Sequence, residues 1–112
     1  MHEIVRLITD AQQGNAISPD RFAKALELEL RELEKCAGVE HQTARLNPES
    51  EVLQEYLRAS LLVILTLAKE TLDPDRAMFY FKYLPIEGMA YKTPQTLVTE
   101  GRAVDFLLHM SC

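Results

Sequence analysis

Cysteine is scarce in this chain: Cys36 and Cys112 are the only two in 112 residues. Two thiols do not make a disulfide framework, and neither stands in a Cys-x-x-Cys or Cys/His metal-ligand spacing. Cys36 falls inside an apolar helical pattern and reads as a buried small hydrophobe, while Cys112 is the last residue given. This usage fits a reducing cytoplasm. Glycine is equally sparse, with four residues scattered at 14, 38, 88 and 101. No glycine-rich loop cradles a phosphate, and no nucleophile elbow is present. His2, His41 and His109 fall on three separate elements, with no carboxylate dyad beside any of them. Catalysis needs converging groups, so neither an enzyme nor a bound metal or cofactor is expected. His109, on an apolar helix, reads as a partly buried packing residue.

Long hydrophobic runs are also missing. The most apolar stretch, "ASLLVILTLA" from Ala59 to Ala68, lies between Arg58 and Lys69. It is well short of the ~20 residues that span a bilayer. The start, "MHEIVRLITDAQQG", is charged throughout and does not read as a signal peptide. A soluble, cytoplasmic protein with no membrane partner is the expectation. Basic charge is in deficit, with 12 Lys and Arg against 17 Asp and Glu, a net charge of −5. That balance argues against tight non-specific nucleic-acid binding, although it leaves room for a local basic surface.

The prolines organise the rest. Ser18-Pro19, Asn47-Pro48, Asp73-Pro74 and Thr93-Pro94 each set a side-chain oxygen acceptor directly before a proline. The acceptor can take a first-turn N–H, and proline at the next position has no N–H to leave unpaired. Four of the five prolines therefore predict helix starts. Apolar spacing fills in the helices. Ile4, Val5, Leu7 and Ile8 mark an N-terminal helix to about Gln13. Phe22, Ala23, Leu26 and Leu30 follow Ser18, and Leu33 and Ala37 carry the pattern to a stop at Gly38. A short helix is expected from Glu40 to Leu46, the longest from Pro48 to Leu72, then Pro74 to Leu84, Pro94 to Glu100 and Arg102 to Met110. No useful alternating strand appears, so the fold class is all-α. One compact unit is expected, with an N-terminal part (1–48), a long central helix (49–72) and a C-terminal part (73–112). "SLLVIL" is apolar around most of its circumference, so that helix is buried by its neighbours or by a second copy, and a homodimer is expected.

Two stretches carry candidate sites. "LRELEKCAGVEHQTARLNP", Leu30 to Pro48, has the order of a helix-turn-helix: Gly38 at the bend, Val39 as an apolar plug, then a helix exposing His41, Gln42 and Arg45. Gln reads adenine and Arg reads guanine or phosphate, so these three are the candidate DNA-binding residues. Against this stand six basic and nine acidic residues between Asp20 and Arg58, and Glu34 where the motif usually has a small residue. The alternative is that Leu33, Ala37, Val39, Ala44 and Leu46 pack a helical corner. The second stretch is "FYFKYLP", which places Phe79, Tyr80, Phe81 and Tyr83 on successive faces of one short helix. They cannot all turn toward one core. Either Phe79 and Tyr83, four apart, pack inward while the other rings cover the domain, or Tyr80 and Phe81 face a partner.

The segment "DPDRAMFYFKYLPIEGMAYKTPQTLVTEGRAVDFLLHM" resembles the C-terminal toxin-binding region of the Xre/MbcA/ParS antitoxin family. The correspondences are Tyr80-Phe81, Pro85-Ile86, Gly88, Lys92-Thr93-Pro94, Leu97 and Gly101-Arg102. Tyr80 stands where the family often carries tryptophan, and Ala90 and Tyr91 stand where it carries glycines. Leu30 to Pro48 is similar to the family's degenerate helix-turn-helix. The resemblance implies an antitoxin that blocks a RES-like, NAD-degrading toxin and can repress its own operon by binding operator DNA, often as a dimer. It also implies a partner surface made of Tyr80, Phe81, Lys82, Pro85, Lys92, Thr93 and Arg102. The other reading is a stand-alone helix-turn-helix regulator, or a helical adaptor, with no toxin.

Overall fold

Three of the four proline gates close as the sequence predicts. In the computed structural model, the N–H of Arg21 donates to Ser18 Oγ at 3.2 Å. Asp73 Oδ1 accepts from Asp75 and Arg76 at 3.0 and 3.4 Å. The N–H of Thr96 donates to Thr93 Oγ1 at 3.2 Å. The helices they open are α2 (Pro19–Ala25), α6 (Pro74–Tyr83) and α7 (Pro94–Thr99). Around them stand α1 (Glu3–Gln12), α3 (Leu30–Ala37), α4 (Thr43–Leu46), α5 (Glu51–Thr71) and α8 (Ala103–Met110). The structure describes residues 3–111, so His2 and Cys112 lie outside the described residues. Among the described residues the fold is all-helical with no strand, and no helix is long and apolar enough to cross a membrane.

The fourth gate is a correction. Asn47 ends α4, and the cap of α5 is Ser50, whose Oγ accepts from the N–H of Leu53. Pro48 is exposed and its carbonyl accepts a 2.8 Å bond from Gln54 Nε2, so the chain turns there before the helix begins. The run from Ser18 to Gly38 also divides. After α2 the chain breaks at Glu27, whose φ is +56°, and α3 starts afresh with a capping box between Glu29 and Glu32. Neither glycine nor proline marks this break. A tertiary contact does: Lys82 Nζ, from α6, donates to the carbonyl of Leu26 at 2.6 Å, satisfying an orphan acceptor at the negative end of α2.

The central helix α5 packs against α1, α3, α6, α7 and α8. It buries Leu53, Tyr56, Leu57, Leu61, Val63, Ile64 and Leu67 in one core that also takes Phe22, Phe81 and Phe106. The Cα radius of gyration is 13.1 Å, against roughly 13 Å for a single compact chain of this length. The N-terminal and C-terminal helices therefore share one folded body around α5.

Polar ties fix the crossings. Gln54, 4% exposed, bonds both backbone groups of Ile17 in addition to Pro48. Where α3, α5 and α7 meet, Gln95 Nε2 donates to Cys36 Sγ at 3.5 Å. The buried Tyr56 hydroxyl sits beside Cys36, Ser60 and Gln95, but in hydrogen-bonding geometry with none. Burial holds that phenol above its usual range. Cys36 is half-buried here rather than fully enclosed.

Candidate interaction surfaces

The α3–α4 corner is built around a buried carboxylate. Gly38 ends α3 in the left-handed region at φ +74°, and the N–H of Val39 reaches back to the carbonyl of Glu34 at 3.1 Å. The Glu34 side chain stays under the corner with 4% of its surface exposed. Its Oε2 accepts from the N–H of Ala44 at 2.9 Å, and its Oε1 lies 3.3 Å from His41 Nδ1. Burial alone would push this carboxyl up. The backbone donors Ala44 and Gln42, with the His41 ring, outweigh it and hold the group below the usual carboxylate value. Close helix approach, which a small residue would allow at this position, is replaced by hydrogen bonds to an anion.

That corner brings the three candidate DNA-binding residues together. His41, Gln42 and Arg45 are exposed and line a shallow cleft of about 160 Å³ with Leu30, Arg31 and Glu34. The helix that carries them is shorter than the spacing predicts. It has four residues, Thr43–Leu46, because Gln42 adopts φ +72° and cannot belong to a right-handed helix. Ala44 and Leu33 are buried in the corner, whereas Leu46 is 76% exposed and packs nothing there.

On α6 the rings are sorted the opposite way from the expectation. Phe79 and Tyr83 are 58% and 57% exposed, and Phe81 is fully buried. Phe81 is thereby withdrawn from the partner surface. The reason is the helical stripe Ala77, Met78 and Phe81, all buried at i, i+1 and i+4 against α5. Counting rings alone overlooks Ala77 and Met78, which identify that inward face. Phe79 and Tyr83 occupy the outer face with ring centroids 5.0 Å apart, and half-buried Tyr80 lies against Phe79 at 6.4 Å. Beside them opens a cleft of about 430 Å³ between Ala25–Glu27 and the outer face of α6.

The remaining partner candidates serve the fold as well. Lys82 caps α2 through Leu26 and lies 5.0 Å from the centre of the Tyr83 ring. Lys92 Nζ pairs with both Glu100 carboxylate oxygens at 2.8 Å, Arg102 Nε lies 3.3 Å from Asp105 Oδ2, and Thr93 caps α7. These three are half-buried, while Pro85 is exposed. The loop joining α6 to α7 is closed by the N–H of Ile86 donating to the carbonyl of Lys92 at 3.0 Å. Ile86 and Met89 anchor it inward, and Tyr91 projects from it at 67% exposure. Ala90 and Tyr91 both adopt left-handed backbone, at φ +58° and +57°. Gly88 is forced twice. Its φ is +87°, and a Cβ there would lie 3.0 Å from Cε1 of His109. His109 is exposed rather than buried, its ring covering that turn.

Among the described residues no three His, Cys, Asp or Glu side chains are grouped to hold a metal ion. No protein-family model, curated protein or solved structure matches this chain.

Proposed function

We propose that this protein is the antitoxin of a bacterial toxin–antitoxin pair, binding and blocking a RES-like, NAD-degrading enzyme. In this reading it acts as a homodimer and represses its own operon through the Leu30–Pro48 unit. The observation that carries the reading is the outward ring pair Phe79 and Tyr83 on α6, next to an open cleft. Large rings with few rotors supply binding area at low entropic cost, and exposed rings grouped in one patch are the form such interaction sites take. In this reading the surface is Phe79, Tyr80 and Tyr83 with Pro85 and Tyr91, which keeps Tyr80 and Pro85 of the set the sequence nominates and leaves out Phe81, which is buried. Lys92, Thr93 and Arg102 shape the segment that follows.

The α6–α7 loop adds support. Ala90 and Tyr91 stand where the resembled family carries glycine, and both have the positive φ that glycine adopts freely. Strain of this kind gathers at working surfaces.

A second reading, a stand-alone helix-turn-helix regulator or adaptor without a toxin, draws on exposed His41, Gln42 and Arg45. A four-residue helix offers little length to a major groove, so DNA binding is subordinate here. Co-purification with the product of an adjacent RES-like reading frame tests the two. Capture of that enzyme together with loss of its NAD consumption is expected. An enzyme left fully active by excess antitoxin rejects the first reading. A promoter shift abolished by Arg45→Ala, without capture, favours the second.

A further inference from the structure

The outer face of α5 is a stripe with a charge order of its own. Most of the helix circumference is buried, but Glu51, Val52, Glu55, Arg58, Leu62, Lys69 and Glu70 are exposed, and Leu62 keeps half of its surface in water. Glu55 and Lys69 stand seven residues before and after Leu62. Two full turns put all three on nearly the same line along the helix. Neither Glu55 nor Lys69 makes an ion pair among the described residues. Next to the stripe opens a mostly apolar cleft of about 260 Å³ between α1 and α5, walled by Ile8, Ala11, Gln12, Leu61 and Leu65, with Arg58 and Leu62 of the stripe itself on its rim.

We infer that this face binds a second copy of the chain, with the two α5 helices antiparallel and crossing at Leu62. The equal spacing of Glu55 and Lys69 on either side of Leu62 matches a second copy running in the opposite direction. Antiparallel pairing centred on Leu62 sets Glu55 of each copy opposite Lys69 of the other, about 10.5 Å to either side of the two-fold axis. Parallel pairing would set Glu55 against Glu55 and Lys69 against Lys69, repulsive on both counts. At the axis, Leu62 of one copy meets Leu62 of the other at the rim of the two apolar clefts, burying the largest exposed aliphatic side chain of the stripe. This specifies the homodimer of the proposed function, yet it uses neither α6 nor the α3–α4 corner. Its failure would leave toxin capture untouched.

Light scattering and sedimentation equilibrium on the full chain test the inference. The wild type is expected to be a dimer, and Leu62→Glu a monomer with unchanged helical circular dichroism. Glu55→Lys and Lys69→Glu are each expected to weaken the dimer roughly tenfold at low salt, since each reversal makes two attractive pairs repulsive. The Glu55→Lys/Lys69→Glu double variant is expected to recover affinity, which a merely misfolded variant would not do. A wild type that stays monomeric at roughly 100 μM protein, far weaker than most specific dimers, overturns the inference. So does a dimer that Leu62→Glu leaves intact, or a double variant no tighter than the single ones.

Discussion

Gln54 holds Ile17 by both of its backbone groups: its Oε1 accepts from the N–H at 2.9 Å, and its Nε2 donates to the carbonyl at 2.8 Å. One buried side chain on α5 thus fixes the linker between α1 and α2, and its other amide hydrogen holds the Pro48 turn. Gln54→Ala strands three buried or half-buried backbone groups. It is expected to lower unfolding free energy by about 2–4 kcal/mol, read from urea denaturation. Gln54→Glu should do no better, because a carboxylate cannot donate to Ile17 or Pro48.

Glu34 makes the α3–α4 corner sensitive to acid. Its folded-state pKa lies below its ordinary 4.5. The unfolded chain therefore takes up the proton first as pH falls, and the stabilisation is lost through the folded value. The contribution is fully present above 4.5 and declines below it. Glu34→Gln is expected to cost about 1–3 kcal/mol at neutral pH, with the gap from wild type narrowing toward pH 3. A gap that stays constant with pH would assign the loss to packing rather than charge.

The two faces of α6 should respond differently to truncation. Phe81→Ala empties a fully buried site and is expected to destabilise by about 3–5 kcal/mol. Phe79→Ser with Tyr83→Ser should change stability by no more than about 1 kcal/mol, as expected for surface positions. The same pair should abolish capture of the RES-like enzyme. A double variant that captures as well as wild type would remove α6 from the interface.

The loop after α6 is strained by its side chains. Ala90→Gly and Tyr91→Gly relieve a left-handed non-glycine residue each, against a more flexible unfolded chain. Each is expected to raise stability by about 0.5–1 kcal/mol. Gly88→Ala should destabilise, and His109→Ala added to it should recover only the part due to the 3.0 Å contact. Thermal melts of the four proteins read these effects directly.

How much of this was written in local chemistry can be told from particular residues. Ser18, Asp73 and Thr93 before proline act within one turn of chain, so three helix starts and the all-helical class follow from short-range capping and spacing alone. The exposure of His41, Gln42 and Arg45 follows in the same way from the pattern after Gly38. The break after Leu26 does not, because the Lys82 that caps the Leu26 carbonyl lies 56 positions further along. Nor does the start of α5, displaced from Pro48 by the hydrogen bond from Gln54. Which aromatic rings of α6 face outward depended on which side of that helix α5 covers, and Glu34 became a structural anion only because Ala44 and His41 fold over it. Short-range sterics and hydrogen bonding reach one turn; contacts between distant segments exist only once the core has closed.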